Sequence, residues 1–246
     1  CLITGTASGM GRIAAKSLAE KGATLILVDF DTENGLAARD EIIEATGNNS
    51  IEYIDCDVSS FSQLHRLSHH IHEHYSRLDV LINNAGISHV AGLIAAKTLD
   101  NARAEMETNY FGTLAMCRSF APALRSNGGG CIVNMLSVLS RVTLPLMGSL
   151  CASKAATLRL TQGVRAELTA QNTTVIAVMP GAVDTQMTKD FPPPKMPPKE
   201  VAEAVMEAIE TGTEEIYPGD MASGLSQGLA HDPKAVEKEL AAFLPS

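Results

Sequence analysis

Thr4-Gly5-Thr6-Ala7-Ser8-Gly9-Met10-Gly11 decides the fold. A short apolar run leads into it and a helix-length amphipathic stretch, 9–21, leads out. Glycines let the backbone turn tightly and approach a pyrophosphate, while a helix N-terminus offers unpaired N–H groups and a positive dipole end. A glycine pattern alone reads equally well as a tight turn. Between a strand and a helix, at the start of a repeating strand–helix–strand pattern, it reads as a dinucleotide-binding turn.

The second apolar run ends at Asp29, about 20 residues beyond the last glycine, where such turns place an acidic residue. A carboxylate there accepts hydrogen bonds from the ribose hydroxyls and repels a 2′-phosphate. Phe30 follows, and no Arg stands beside Asp29, so the position favours NAD over NADP. The plainer alternative is a strand-end Asp that caps the next helix.

Outward from this unit, apolar runs recur at 2–4, 24–29, 51–55, 80–83, 131–136, 174–179 and 215–217. Short Val-, Ile- and Leu-rich runs suit strands covered on both faces of a parallel sheet. Helix-length segments separate them, at 9–21, 31–46, 60–76, 102–126, 149–170 and 198–211. This order predicts an α/β, doubly wound Rossmann-type sheet in one domain over 1–246, with its core in 1–217 and a tail in 218–246. Gly22 and Gly47 read as helix stops, and Ser59 or Ser60 as a cap. Five prolines within 191–198 exclude regular helix and central strand there. The Gly-, Ser- and Ala-rich tail from Asp220 turns helical only near 233–243.

The bulk properties fit. A chain of 246 residues, 45% hydrophobic, can bury a sizeable core. A net charge of −9 without a basic stripe argues against nucleic acid. No apolar run approaches the roughly 20 residues of a membrane span. Five scattered cysteines do not form a disulfide framework, and reduced thiols point to the cytoplasm. No signal-peptide pattern is visible; the chain opens at Cys1 inside a strand pattern, without Met, so a few residues are expected to precede it.

Four motifs in order resemble those of the short-chain dehydrogenase/reductase family: the T-G-x-x-x-G-x-G turn, Asp57-Val58, Asn83-Asn84-Ala85-Gly86 and Pro180-Gly181-Ala182-Val183-Asp184-Thr185. The resemblance runs from Leu2 to about Tyr217. It implies a seven-stranded parallel sheet and an NAD(H) site built from Gly5, Thr6, Ser8, Gly9, Met10, Gly11, Asp29, Asp57, Val58, Asn84, Ala85, Gly86, Lys154, Pro180, Gly181, Val183 and Thr185. It also implies dimers or tetramers formed through 102–126 and 149–170.

The family's reaction moves a hydride between nicotinamide and a carbinol or carbonyl carbon. A Tyr exchanges the oxygen's proton, a Ser binds that oxygen, a Lys lowers the Tyr pKa and holds ribose hydroxyls, and an Asn holds a water. Asn109, Ser137 and Lys154 match three of these. The Tyr belongs four residues before the Lys, at Leu150, and no other Tyr in the chain precedes a Lys by four. Leucine can neither donate nor accept a proton. A water polarised by Lys154 and Ser137 is one stand-in; Ser149 and Cys151 point elsewhere on a helix. Without such partners Ser137 reads as a strand-end hydroxyl bonded to backbone, and Asn109 as a buried residue doing the same.

His65, His69, His70, His72 and His74 include helical i, i+4 pairs, yet they flank an apolar stripe of Leu64, Leu67 and Ile71, which reads as a solvated face and no metal site. Met147, Leu136 and Leu150 would make the substrate side apolar. Three functions compete: NAD-dependent oxidation or reduction of a small apolar alcohol or carbonyl compound with altered proton transfer, a non-catalytic NAD(H)-binding protein acting through dimer or partner contacts, and an ordinary family member whose Tyr has been exchanged.

Overall fold

The computed structural model describes residues 1–245. Seven strands form one parallel sheet: β1 (Leu2–Thr4), β2 (Leu25–Asp29), β3 (Ile51–Asp55), β4 (Val80–Asn83), β5 (Gly130–Met135), β6 (Thr173–Val178) and β7 (Glu215–Ile216). Their spatial order is β3-β2-β1-β4-β5-β6-β7, so the chain reverses its winding between β1 and β4. Ligands of such sheets bind outside the carboxyl ends of the strands at that switch point.

The strand side chains alternate between two cores. Ile26 and Val28 face one core with Leu64, Leu67 and Ile71 of α3 (Phe61–His74), Phe120 and Leu124 of α5 (Thr113–Ser126), and Leu160 of α6 (Gly148–Leu168). Leu25 and Leu27 face the other, with Leu18 of α1 (Gly9–Glu20), Ile42 of α2 (Thr32–Thr46), and Val201 and Val205 of α7 (Pro198–Thr211). This two-sided cover is why the strands read as unbroken apolar runs.

Three local expectations change. The stretch 102–126 is not one regular helix: α4 (Asp100–Glu105) passes through a π-helical segment, Met106–Gly112, before α5. The tail forms α8 (Asp220–His231) as well as α9 (Pro233–Leu240). Composition hid α8 because its order comes from packing: Ala222 is fully buried and Met221 lies against Gly181. Ser60 sits at the N-cap of α3 without a side-chain cap bond, and Ser59 bonds Asp57 instead. Gly47 ends α2 in the left-handed region as expected. Pro198 opens α7 at a first-turn position that needs no N–H. Among the described residues, no helix is long and apolar enough to cross a membrane.

Candidate active site

A cleft of about 390 Å³ opens at the carboxyl ends of β1, β2 and β4. Its floor is the octapeptide turn. Gly5 adopts φ +71°, and a Cβ there would stand 2.8 Å from both the Ala85 Cα and the Asn84 amide. A Cβ on Gly11 would collide with the Gly5 carbonyl. The missing side chains let the turn press against the β4 end and leave the α1 N-terminus bare toward the cleft.

Asn84 locks this arrangement. Its Nδ2 donates to the carbonyls of Thr4 (3.0 Å) and Gly5 (2.9 Å), while the N–H groups of Asn84 and Ala85 both donate to Thr4 Oγ1 at 3.0 Å. Of the residues expected to hold the cofactor, Gly5, Ser8, Gly9, Met10, Asp29, Asp57, Val58, Asn84, Ala85, Gly86 and Thr185 line the cleft. Thr6 is fully buried beneath it, with its hydroxyl on the Val28 carbonyl. Gly11 lies inside α1 and Val183 is buried, and neither lines the cleft. Phe30, Ile87 and Thr108 also line it. Each stands next to a motif residue in the chain, and nothing in the sequence marks it as a wall of the cleft.

Asp29 reaches the cleft from the end of β2. One carboxylate oxygen accepts the Ala7 N–H at 2.9 Å and the other the Asp31 N–H at 3.1 Å. It does not cap α2: Asp31 does, accepting the Asn34 N–H. Asp57 turns its carboxylate to the Ser59 N–H and hydroxyl, and so shapes its own loop.

The other end of the site lies where β5 and β6 meet α6. Lys154 donates from Nζ to the Met135 carbonyl at 2.8 Å, and burial lowers its ammonium to about 8. Gly86 lies between Asn109 Oδ1 and Lys154 Nζ, which a Cβ there would approach to 3.1 and 3.4 Å. Asn109 uses its amide on protein: Oδ1 accepts the Ile87 N–H, and Nδ2 donates to the Ile87 carbonyl and to Ser153 Oγ. The Ser137 hydroxyl accepts the Leu139 N–H at 3.2 Å and lies 3.5 Å from the Pro180 carbonyl. Both polar residues therefore carry the backbone bonds that the plainer reading gave them, while still facing the same corner.

Leu150 is 7% exposed and packs with Met147 and Cys151 against Leu139, Leu144 and Phe191. The space beside it is apolar, so a water polarised by Lys154 and Ser137 would find few other partners there. Phe191 arrives from the proline-rich loop, whose base is stitched by Asp184 N–H to the Met196 carbonyl and Met196 N–H to the Ala182 carbonyl. The tail joins this corner too, through the Ala182 N–H on the Met221 sulfur (3.4 Å) and the Leu146 N–H on the Phe243 carbonyl (3.0 Å).

No group of three or more His, Cys, Asp or Glu among the described residues could hold a metal. His70 of the histidine-rich helix bonds Glu52, and His74 bonds the His70 carbonyl.

Residues 1–195 match the family model for short chain dehydrogenases. A short chain dehydrogenase from Burkholderia cenocepacia J2315, solved in complex with NADP, superposes with a TM-score of 0.87 at 40% identity, over 97% of this chain and 95% of that one. The ketoacyl reductase HetN of Nostoc is 33% identical over 222 residues, spanning 87% of this chain and 76% of its own. The 3-oxoacyl-[acyl-carrier-protein] reductase FabG of Thermotoga maritima is 34% identical, spanning 78% of this chain and 77% of its own.

Proposed function

The chain belongs to the short chain dehydrogenase family of nicotinamide-dependent oxidoreductases, and on that premise we propose that it uses NAD(H) to interconvert a small apolar alcohol and its carbonyl compound, with proton transfer altered at position 150. The observation that carries this reading is a cofactor cradle that reaches Lys154, with Leu150 buried about one helical turn before it on α6. A nicotinamide held there would supply or take the hydride. Asp29 would hold the adenosine ribose, the turn and the α1 N-terminus the pyrophosphate, and Lys154 the second ribose; Pro180, Gly181 and Thr185 would hold the carboxamide.

The cofactor preference rests on Asp29, whose fixed carboxylate would repel a 2′-phosphate. Among the described residues, no Lys or Arg lines the cleft to offset it. The Burkholderia protein, solved with NADP, makes this the sharpest part of the proposal. Fluorescence titration should give NADH at least about tenfold tighter binding than NADPH, a gap of about 1.4 kcal/mol. Asp29→Ser should close that gap, and equal affinity in the wild type would overturn the preference.

The substrate class rests on the apolar company of Leu150, Met147 and Phe191. Ser137 would meet the substrate oxygen. We extend the proposal to a homodimer or homotetramer through α4, α5 and α6, where Phe111 stands 48% exposed, and to a reducing, cytoplasmic setting that the free thiols fit. A non-catalytic, cofactor-binding role is the second reading. It is favoured by the backbone bonds of Ser137 and Asn109 and by the filled space at Leu150. Turnover of an apolar ketone by the wild type, with cofactor saturating, decides against it.

A further inference from the structure

Two polar atoms near the N-terminal turns of α6 are buried without a partner: Glu105 Oε2 and His89 Nδ1. The Glu105 side chain is 0% exposed, an unusual place for a carboxylate unless it is bonded and in use. Its Oε1 accepts the His89 backbone N–H at 2.6 Å and lies 3.5 Å from His89 Nδ1. Further along the same helical stretch, Asn109 grips Ile87 of the same loop through both its N–H and its carbonyl. The loop is therefore clamped at two points by a continuous helical segment.

The loop that carries His89 starts and ends against residues of α6. Gly86 lies next to Lys154 Nζ, and Leu93 packs so closely on Gly148 that a Cβ there would meet Leu93 Cγ at 2.6 Å. The segment between these two contacts carries His89, two residues beyond the Ile87 that lines the cofactor cleft. Glu105 is near enough to α6 that its charge adds to the rise that burial gives the Cys151 thiol. The His89 ring is 37% exposed, with Nδ1 turned inward to Glu105. Nε2 is thus the nitrogen free to meet a ligand. At 3.5 Å Glu105 Oε1 stands in ion-pair range of Nδ1 without hydrogen-bonding it, and a carboxylate on that side of the ring orients an imidazole for acid and base work at the other nitrogen. Among the described residues, Glu105 is the one carboxylate within ion-pair distance of this ring.

We infer that His89 takes the place of the absent tyrosine as proton donor and acceptor, with Glu105 as its positioning residue. The inference rests on the oxidoreductase reading above. In reduction, the carbonyl carbon gains the hydride from the reduced nicotinamide. His89 Nε2–H breaks, its electron pair stays on nitrogen, and the proton forms the new O–H bond. Solvent then reprotonates the half-exposed ring. In oxidation, Nε2 takes the hydroxyl proton as the hydride leaves.

The test uses ethyl benzoylformate, an activated aryl keto ester, with saturating NADH, and compares wild type with His89→Gln, Glu105→Gln and Leu150→Tyr. His89→Gln should lower turnover about 100-fold, the scale of a lost general acid, without changing the NADH Kd. Glu105→Gln should lower it less and shift the pH–rate profile, which a purely structural role would not do. Adding Leu150→Tyr to His89→Gln should restore turnover. The His89 imidazole 15N signals, assigned by their loss in His89→Gln, should move when ethyl mandelate joins the cofactor-bound protein. Wild-type and His89→Gln rates within twofold of each other, with both proteins folded and binding NADH, would overturn the inference. So would a wild type that is inactive while Leu150→Tyr turns over, which leaves the oxidoreductase reading standing. If neither protein turns over, that reading and the inference fall together.

Discussion

From β1 to β4 the site is shaped by backbone: glycines without Cβ atoms, an amide clamp at Asn84, and N–H groups held on the Asp29 carboxylate. Around the first turns of α6 it is shaped by apolar side chains, with Leu150, Met147 and Phe191 in contact and Ser137 and Lys154 bonded to carbonyls. On the proposed function the first region holds the dinucleotide, and the second has Leu150 where the family's tyrosine would stand. Cofactor binding and proton transfer would then be built by separate devices, and changes on one side should leave the other largely alone.

The largest expected effect comes from restoring the phenol. Leu150→Tyr should raise keto-ester turnover by about 10²- to 10⁴-fold over any background lacking an acid at this corner, such as His89→Gln. It should also lower stability by about 1–3 kcal/mol, because a larger polar side chain enters a packed apolar cluster. Steady-state kinetics and thermal melts read the two effects, and an unchanged NADH Kd would confirm that the regions are independent. Gly11→Val breaks the other side. The new side chain would collide with the Gly5 carbonyl and the Asn84 amide, so NADH affinity should fall about 10- to 100-fold, as strain of about 1–3 kcal/mol implies. A variant that binds NADH normally would show that the turn does not hold the pyrophosphate.

Lys154 belongs to both regions, and its titration should divide them by sign. Burial lowers its ammonium from 10.5 to about 8. Between those values the unfolded chain binds the proton that the folded chain has released, so stability should rise with pH across that window. NADH affinity should move the other way, falling as pH rises through about 8, because the neutral amine is a weaker donor to ribose hydroxyls. Denaturation and fluorescence titrations from pH 7 to 10 check both slopes. Lys154→Met should flatten both, and parallel slopes would show that the two effects do not share this group.

The sequence made the backbone-built region legible because its signals are local. Glycine spacing, a strand-end Asp29 and the N-N-A-G block each report on residues that are near neighbours in the chain. The strands were legible for the same reason, since each is a short apolar run covered on both faces. The side-chain-built region was only half legible. Leu150 showed that a Tyr was missing, but Leu139 and Leu144 gather around it from the stretch before α6 and Phe191 from the proline-rich loop, and no periodicity reports that. The π-helical segment that carries Asn109 and the helix α8 were missed because tertiary packing sets them: Asn109 grips a distant loop, and Ala222 is buried by contacts across the fold. The Glu105–His89 pair lay 16 residues apart in two stretches with no shared motif.

The smallest expected effect tests where the substrate region ends. Lys195 donates to the Thr188 carbonyl at 2.9 Å and lies 3.3 Å from an Asp184 carboxylate that is 69% exposed. An ion pair with so exposed a partner contributes little to stability, about 0–1 kcal/mol. Lys195→Met should therefore leave the melting temperature within a few degrees of wild type. The bond to the Thr188 carbonyl is different, because it ties the proline-rich segment to the turn that Thr185 begins. Losing it should loosen the segment that carries Phe191 to Leu150, raising the keto-ester KM about two- to threefold while the NADH Kd stays fixed. Thr185 also faces the cofactor cleft, so the two measurements can disagree. If the NADH Kd rises with the KM, the loop is shared, and the boundary between the two regions lies beyond Phe191 rather than at Thr185.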